Sequence, residues 1–233
     1  MGEPVRTLAI DTTTRTGSVA VYSVNPGESA EIVLEAGKNY AETLLSSINR
    51  LFEMTGLQME NMELIAVANG PGSFTGLRIG LATAKGLSCS SGVPVKTVST
   101  LEALAGRVSD SSSIICPVLD ARRGEVYSAF FRRERDGSLI KTSPELASRI
   151  EDVCAAIDDG AVFLGDGVDT YEKKIRLLMG ERAVFAPAHL RYPSALAVAQ
   201  TALKKIAAGE KAETALAVKP LYVRQSDAEI KHG

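Results

Sequence analysis

The residues best suited to chemistry in this sequence are two aspartates at the ends of apolar runs and a glycine-rich stretch between them. Asp11 closes "LAIDTTT" and stands beside the hydroxyls of Thr12 and Thr13, and Asp120 closes "PVLDARRG". A carboxylate at a strand end can act on phosphates through Mg²⁺ while neighbouring hydroxyls meet the phosphates directly. The same residues also make a turn held by short polar side chains. Residues 69–88, "NGPGSFTGLRIGLATAKGLS", carry five glycines. Their spacing misses three phosphate or nucleophile templates: no lysine follows as in a Walker loop, Thr75 stands where a dinucleotide pattern needs glycine, and position 71 is not the glycine of a nucleophile elbow. What remains is geometry. Gly70, Pro71 and Gly72 make a sharp turn, and Ser73 is placed to cap the helix that follows. Gly76, Gly80 and Ala84 then recur every fourth residue, a stripe nearly free of side chains. Each glycine costs roughly 1 kcal/mol against alanine in mid-helix, so the stripe implies something packed closely on it, within the chain or from outside.

The elements that hold these residues follow from periodicity. "VRTLAID", "GSVAVYSV" and "AEIVLEAG" read as a strand meander, "NYAETLLSSINRLFEMTG" as a helix, "ELIAVA" as a strand, "SFTGLRIGLATAKGLSCSSG" as a helix ending at Gly92, "PVKTVS" as a strand and "TLEALAGRV" as a helix. The second half repeats this order: strands "SIICPVLDA", "GEVYSAFFRR" and "SLIKTS", helix "PELASRIEDVCAAI", strand "AVFLGDG", helix "DTYEKKIRLLMG", strand "RAVFAP" and helix "SALAVAQTALKKIAAG". A duplicated βββαβαβα pattern predicts an α/β fold of the actin-like (ASKHA, ribonuclease-H-like) kind. Two lobes are expected, 1–105 and 106–233, with the late helix either in the second lobe or returning to the first.

Composition narrows the partners. With 26 basic and 28 acidic residues the formal charge is -2, a poor footprint for gripping nucleic acid unaided. Cys89, Cys116 and Cys154 lack the close spacing of zinc or redox motifs and read as buried thiols in a reducing cytosol. No apolar stretch long enough to span a membrane occurs, and the N-terminus does not read as an export signal. Arg132, Arg133 and Arg135 form the densest basic cluster, read as a solvated strand end with tRNA contact as the alternative. The tail "RQSDAEIKHG" reads as polar and mobile.

Four stretches, "AIDTTTRTGSVAVY", "NGPGSFTGLRIGLATAKGLS", "VLDARRGEVYSAFF" and "KPLYVR", together resemble the TsaB (YeaZ) family over essentially the whole chain, and "GPGSFTGLRIG" is the most specific of them. The resemblance implies an actin-like fold of two lobes, a cytoplasmic location, a homodimer and a heterodimer with TsaD. With the ATPase TsaE, that pair transfers threonylcarbamoyl from an adenylate onto the adenine beside the anticodon of tRNAs reading codons that begin with A. TsaB is the non-catalytic member. The related catalytic subunit bears "NHLEGH", whose two histidines hold the metal. Aligned through Leu-Glu, this chain reads "STLEAL": Ser99 and Thr100 replace Asn-His, and Leu104 replaces the second histidine. His189 and His232 lie far along the chain. No metal, cofactor or catalytic residue is therefore expected, and tRNA is expected to be met only through the complex. The phosphate turns, Asp11, Thr12, Thr13 and Asp120, are expected to be vestigial. The second would ordinarily be glycine-rich, and here Ala121, Arg122 and Arg123 crowd it, while "GDG" at 165–167 is a remnant. The alternative is an autonomous actin-like ATPase or small-molecule kinase, or a metallopeptidase-like enzyme.

A partner subunit works through a surface, and the two helices of the first lobe are the candidates. The expected homodimer and TsaD interface comprises Tyr40, Leu44, Leu45, Ile48, Leu51, Phe52, Gly76, Gly80, Thr83, Ala84 and Leu87, shared so that the two pairings exclude each other. On this expectation Gly80→Arg blocks pairing and leaves the fold intact.

Overall fold

A computed structural model describes residues 6–25, 28–35, 40–109 and 113–224. The chain divides into two compact units, Met1–Ala103 with Pro193–Leu221, and Leu104–Tyr192 with Tyr222–Gly233. In chain order the first stretch holds β1 (Thr7–Asp11), β2 (Thr16–Tyr22), β3 (Ala30–Glu35), α1 (Tyr40–Thr55), β4 (Leu64–Ala68), α2 (Phe74–Ser91), β5 (Val95–Val98) and α3 (Thr100–Gly106). Then follow β6 (Ile114–Arg122), β7 (Glu125–Ser128), β8 (Phe131–Arg133), β9 (Leu139–Lys141), β10 (Leu146–Arg149), α4 (Ile150–Ala155), β11 (Ala161–Leu164), α5 (Gly167–Met179), β12 (Ala183–Phe185), α6 (Ala188–Arg191) and α7 (Ala195–Ala207).

The first sheet runs β3-β2-β1-β4-β5, with β1 antiparallel to β2 and parallel to β4. The second runs β10-β7-β6-β11-β12, and β8 and β9 form a hairpin attached to β6. Position for position the two orders correspond: an antiparallel meander, then parallel strands added through crossover helices. The fold is α/β and actin-like.

Side-chain size alternates along the first sheet and decides which helices each face accepts. Leu8, Ile10, Val19, Val21, Ile65 and Val67 point to one face and pack with Leu44, Ile48 and Leu51 of α1 and Leu81 and Ala84 of α2. Ala9, Ala20, Ala66 and Ala68 point to the other, where small residues let the alanine-rich helix α7 approach through Ala195, Val198, Ala199 and Ala202. Fully burying each large aliphatic contributes roughly 1.5–3 kcal/mol. The start of α7 is also pinned by polar contacts: Ala195 N–H donates to Ser18 Oγ at 2.7 Å, and Ser194 Oγ donates to Glu31 at 2.9 Å. In the second unit Cys116, Val118, Val126 and Phe163 of the sheet pack with Ile150, Val153 and Cys154 of α4 and Val168, Ile175 and Met179 of α5.

Several local expectations are corrected. "PELASRIEDVCAAI" is not one helix: Leu146–Arg149 pairs with β7 as β10, and only Ile150–Ala155 is helical. Pairing with β7 supplies the backbone hydrogen bonds that its helical periodicity suggested would be intrahelical. "GEVYSAFFRR" breaks into β7 and β8, and α6 is an additional short helix. Cys89 is exposed, while Cys116 and Cys154 are buried. Arg133 is an anchor: its guanidinium donates to the carbonyls of Val108, Gly137 and Gly106. The polar tail beyond Arg224, including His232, lies outside the described residues, as does the start of the expected first helix at residue 39.

Candidate functional site

The turn after β1 is built into the protein interior. Asp11, Thr12 and Thr13 are at most 1% exposed. Asp11 Oδ1 accepts from the Thr13 amide at 2.9 Å and from its hydroxyl at 2.7 Å, an Asx-type closure of the turn. Thr12 Oγ1 donates to the Gly76 carbonyl at 2.7 Å, and the Ser73 amide donates to the Thr13 carbonyl at 2.6 Å. Of the hydroxyls that a phosphate turn would offer a nucleotide, that of Thr12 is thus spent on α2 and that of Thr13 on Asp11. Tyr40, on α1, closes the other side: its hydroxyl lies 2.9 Å from the Thr14 carbonyl and 3.1 Å from that of Arg15. Burial, with the nearby Asp11 charge, lifts its pKa well above the ordinary tyrosine range.

This packing explains the glycine stripe. A Cβ on Gly76 would collide with the Thr12 carbonyl, and one on Gly80 with Thr12 Oγ1. The partner on the stripe is therefore the chain's own β1 turn. Ser73 is the N-cap of α2, its hydroxyl accepting from the Gly76 amide at 3.3 Å, and Gly92 ends the helix at φ 77. Gly70, Pro71 and Gly72 carry the chain from β4 into that cap, with the Gly70 carbonyl accepting the Thr100 amide at 2.8 Å.

The expected interface is corrected by the same geometry. Tyr40, Leu44, Ile48, Leu51, Gly76, Gly80 and Ala84 are buried inside the first unit and present no surface. Phe52 and Leu87 are half-buried against the same core, and Thr83 is half-buried. Leu45 alone of the set is exposed, at 53%, joined on α1 by Met54. Leu45 and Met54 lie outside the apolar face that α1 turns to the core. Gly80→Arg would disrupt the fold, because no side chain fits beside Thr12.

The second turn is open where the first is closed. Asp120 is exposed, and its Oδ1 accepts the Arg122 amide at 2.8 Å. The two-residue connection to β7 is Arg123–Gly124, with φ 54 and 81, preceded by Arg122 at φ 61 where the register shifts. Positive φ at both central residues is the signature of a type I′ hairpin turn. Behind it, a Cβ on Gly165 would strike the Val118 carbonyl, so "GDG" packs β11 and α5 onto β6. Asp166 accepts the Asp120 amide at 3.1 Å. Its own burial, reinforced by the charges of Asp120 and Asp169, raises its pKa to about 6.

On α3, Thr100 and Leu104 are 0% and 1% exposed, and the Thr100 hydroxyl has no hydrogen-bond partner. Among the described residues no three His, Cys, Asp or Glu gather as metal ligands. None of the helices formed by those residues is long and apolar enough to cross a membrane. Two arrangements escaped the sequence reading. Buried Lys96 pairs with Glu210 at 2.8 Å, which also pairs with Lys205 at 3.0 Å. In the second unit Arg123 and Arg224 come together at a pocket. Neither had a signal in local spacing, because the partners are about a hundred residues apart.

Two copies of one meander-and-crossover unit, each opening on a strand that ends in an aspartate turn, define an actin-like protein. The family model described as "TsaD: tRNA N6-adenosine threonylcarbamoyltransferase" matches residues 34–232, and the Bacillus subtilis "tRNA threonylcarbamoyladenosine biosynthesis protein TsaB" is 29% identical over 229 residues, 96% of either chain. Two solved Pseudomonas aeruginosa structures, one described as YeaZ and one as an uncharacterized protein with similarity to peptidase YEAZ, match at TM-score 0.78 and 27% identity, over 94% of this chain and 99% and 100% of theirs. The chain belongs to the TsaB (YeaZ) family, within the wider family of that TsaD model. EutJ from Carboxydothermus hydrogenoformans, at 10% identity and TM-score 0.51 over 85% of this chain and 90% of its own, shares the fold alone.

Proposed function

We propose that this protein is a non-catalytic, cytoplasmic subunit that pairs with a TsaD-type transferase. In that pair it supports transfer of threonylcarbamoyl to the adenine beside the anticodon of tRNAs reading A-starting codons, with TsaE as the third component. The observation that carries the reading is on α3. Where the resemblance puts the two metal-binding histidines of the catalytic relative, this chain buries a threonine hydroxyl and a leucine. Neither side chain can replace imidazole at a divalent site. The closed β1 turn supports the same reading against an autonomous ATPase or kinase, since Thr12 and Thr13 are already hydrogen-bonded within the fold.

The pairing surface, for a homodimer or the TsaD-type heterodimer, is the outward side of α1 and α2, with exposed Leu45 and half-buried Phe52 from α1 and half-buried Thr83 and Leu87 from α2. Reconstituted transfer with TsaD, TsaE and tRNA, run with and without this chain, tests the function. Strong dependence on the chain is expected; equal product without it refutes the proposal. Leu45→Asp is expected to weaken pairing at least tenfold by sedimentation while leaving thermal stability nearly unchanged, because the side chain is already in water.

A further inference from the structure

The stretch "KPLYVR", residues 219–224, has no part yet in the site described above, although it contains the point where the chain passes from the first unit, at Leu221, to the second, at Tyr222. Its first end is fastened to the turn that leads into α2. The Leu221 amide donates to the Asn69 carbonyl at 2.7 Å, and the Asn69 side-chain amide donates to the Lys219 carbonyl at 3.3 Å. A Cβ on Gly70, which has φ 116, would strike the Leu221 carbonyl, so the segment lies directly on the turn. Val218, fully buried in the core of the first unit, fixes its approach. The turn beneath is a junction: the Asn69 amide donates to the Val98 carbonyl of β5 at 2.9 Å, the Thr100 amide of α3 donates to the Gly70 carbonyl, and Ser73 caps α2 three residues on.

Its second end is fastened within the second unit. Arg224 pairs with Glu125 of β7 at 2.7 Å, the two side chains being 21% and 35% exposed. Val223 and Arg224 line a cavity of about 480 Å³ together with Leu146 and Ala147 of β10. A charge pair shielded from water to this degree holds more firmly than one on an open surface. Between the two ends the segment belongs to no helix or strand. Segments of that kind open and close as a piece, with a stability set by their attachments.

We propose that residues 219–224 form a strap that couples the β7–β10 edge of the second unit to the Asn69–Gly70 turn of the first. Loss of the Arg224–Glu125 anchor loosens the whole strap, and a change at that edge is thereby felt where α2 begins. Because α2 carries part of the pairing surface proposed above, the strap gives the second unit a means of regulating pairing; that last step rests on the proposed surface, whereas the coupling does not. Amide hydrogen exchange of the full chain alone, followed by NMR, tests the coupling. Arg224→Ala and Glu125→Gln are each expected to speed exchange of the Leu221 amide about tenfold, although both substitutions lie in the other unit. Amides of β11 in the core of the second unit are expected to keep their wild-type protection. Arg176→Ala, which removes a salt bridge to Glu172 on α5 of the same unit, is expected to leave Leu221 exchange within about twofold of wild type. Unchanged Leu221 exchange in both anchor variants, equal acceleration by Arg176→Ala, or acceleration at β11 as large as at Leu221 would each overturn the proposal. Because the assay contains no transferase, its outcome is independent of the reconstitution that decides the function.

Discussion

Single contacts set the tolerance of the β1 turn. Gly76 lies against the Thr12 carbonyl with no room for a methyl group, and the obstacle is backbone, which cannot rotate away. Gly76→Ala, which in an open helix would stabilise by helix propensity, is expected here to destabilise by about 2–4 kcal/mol, measurable by urea unfolding. Asp166 makes the opposite kind of prediction. Its pKa in the folded protein is about 6, above the value near 4 of a free carboxylate, so the folded state holds the proton more tightly than the unfolded one. Its ionisation therefore costs stability above pH 6, and the cost fades as pH falls from 6 toward 4. Asp166→Asn keeps an oxygen to accept the Asp120 amide. It is expected to raise stability by about 1–2 kcal/mol at pH 8, after allowance for partial solvent exposure, and by almost nothing at pH 4. Unfolding curves at the two pH values check both magnitude and sign.

At the scale of elements, α1 shows how one helix divides adjacent leucines between two roles. Leu44 is 1% exposed in the core and Leu45 is 53% exposed. Leu44→Ala is expected to cost about 2–4 kcal/mol, whereas Leu45→Ala stays within about 0.5 kcal/mol and acts on pairing instead. Paired denaturation and sedimentation measurements separate the two. The same helix shows why the interface was misread. Spacing at 40, 44, 48 and 51 defines an apolar stripe, but only the sheet beneath it decides that the stripe is consumed within the unit. β10 is a parallel lesson. "LASR" has no alternation strong enough to announce a strand, and its assignment comes from the edge of β7 to which it bonds.

Over the whole molecule, the first unit is discontinuous: the chain leaves it after Ala103 and returns at Pro193 to lay α7 on the alanine face of the sheet. A chain ending at Tyr192 would leave Ala9, Ala20, Ala66 and Ala68 uncovered and would take from Lys96 both Glu210 and the Lys211 carbonyl to which it donates. Such a truncation is expected to lose the cooperative thermal transition of the first unit, and a native-like melt would show that α7 is dispensable. The duplication, the order of elements in the first half, the capped helix after the Gly-Pro-Gly turn and the missing histidines were legible in the sequence, because each depends on residues close together along the chain. Which neighbour the glycine stripe receives, which face of α1 remains outside, and the meeting of Arg123 with Arg224 and of Lys96 with Glu210 were decided only by the tertiary structure. Those contacts join segments separated by tens to more than a hundred residues, and no local periodicity records a distance of that kind.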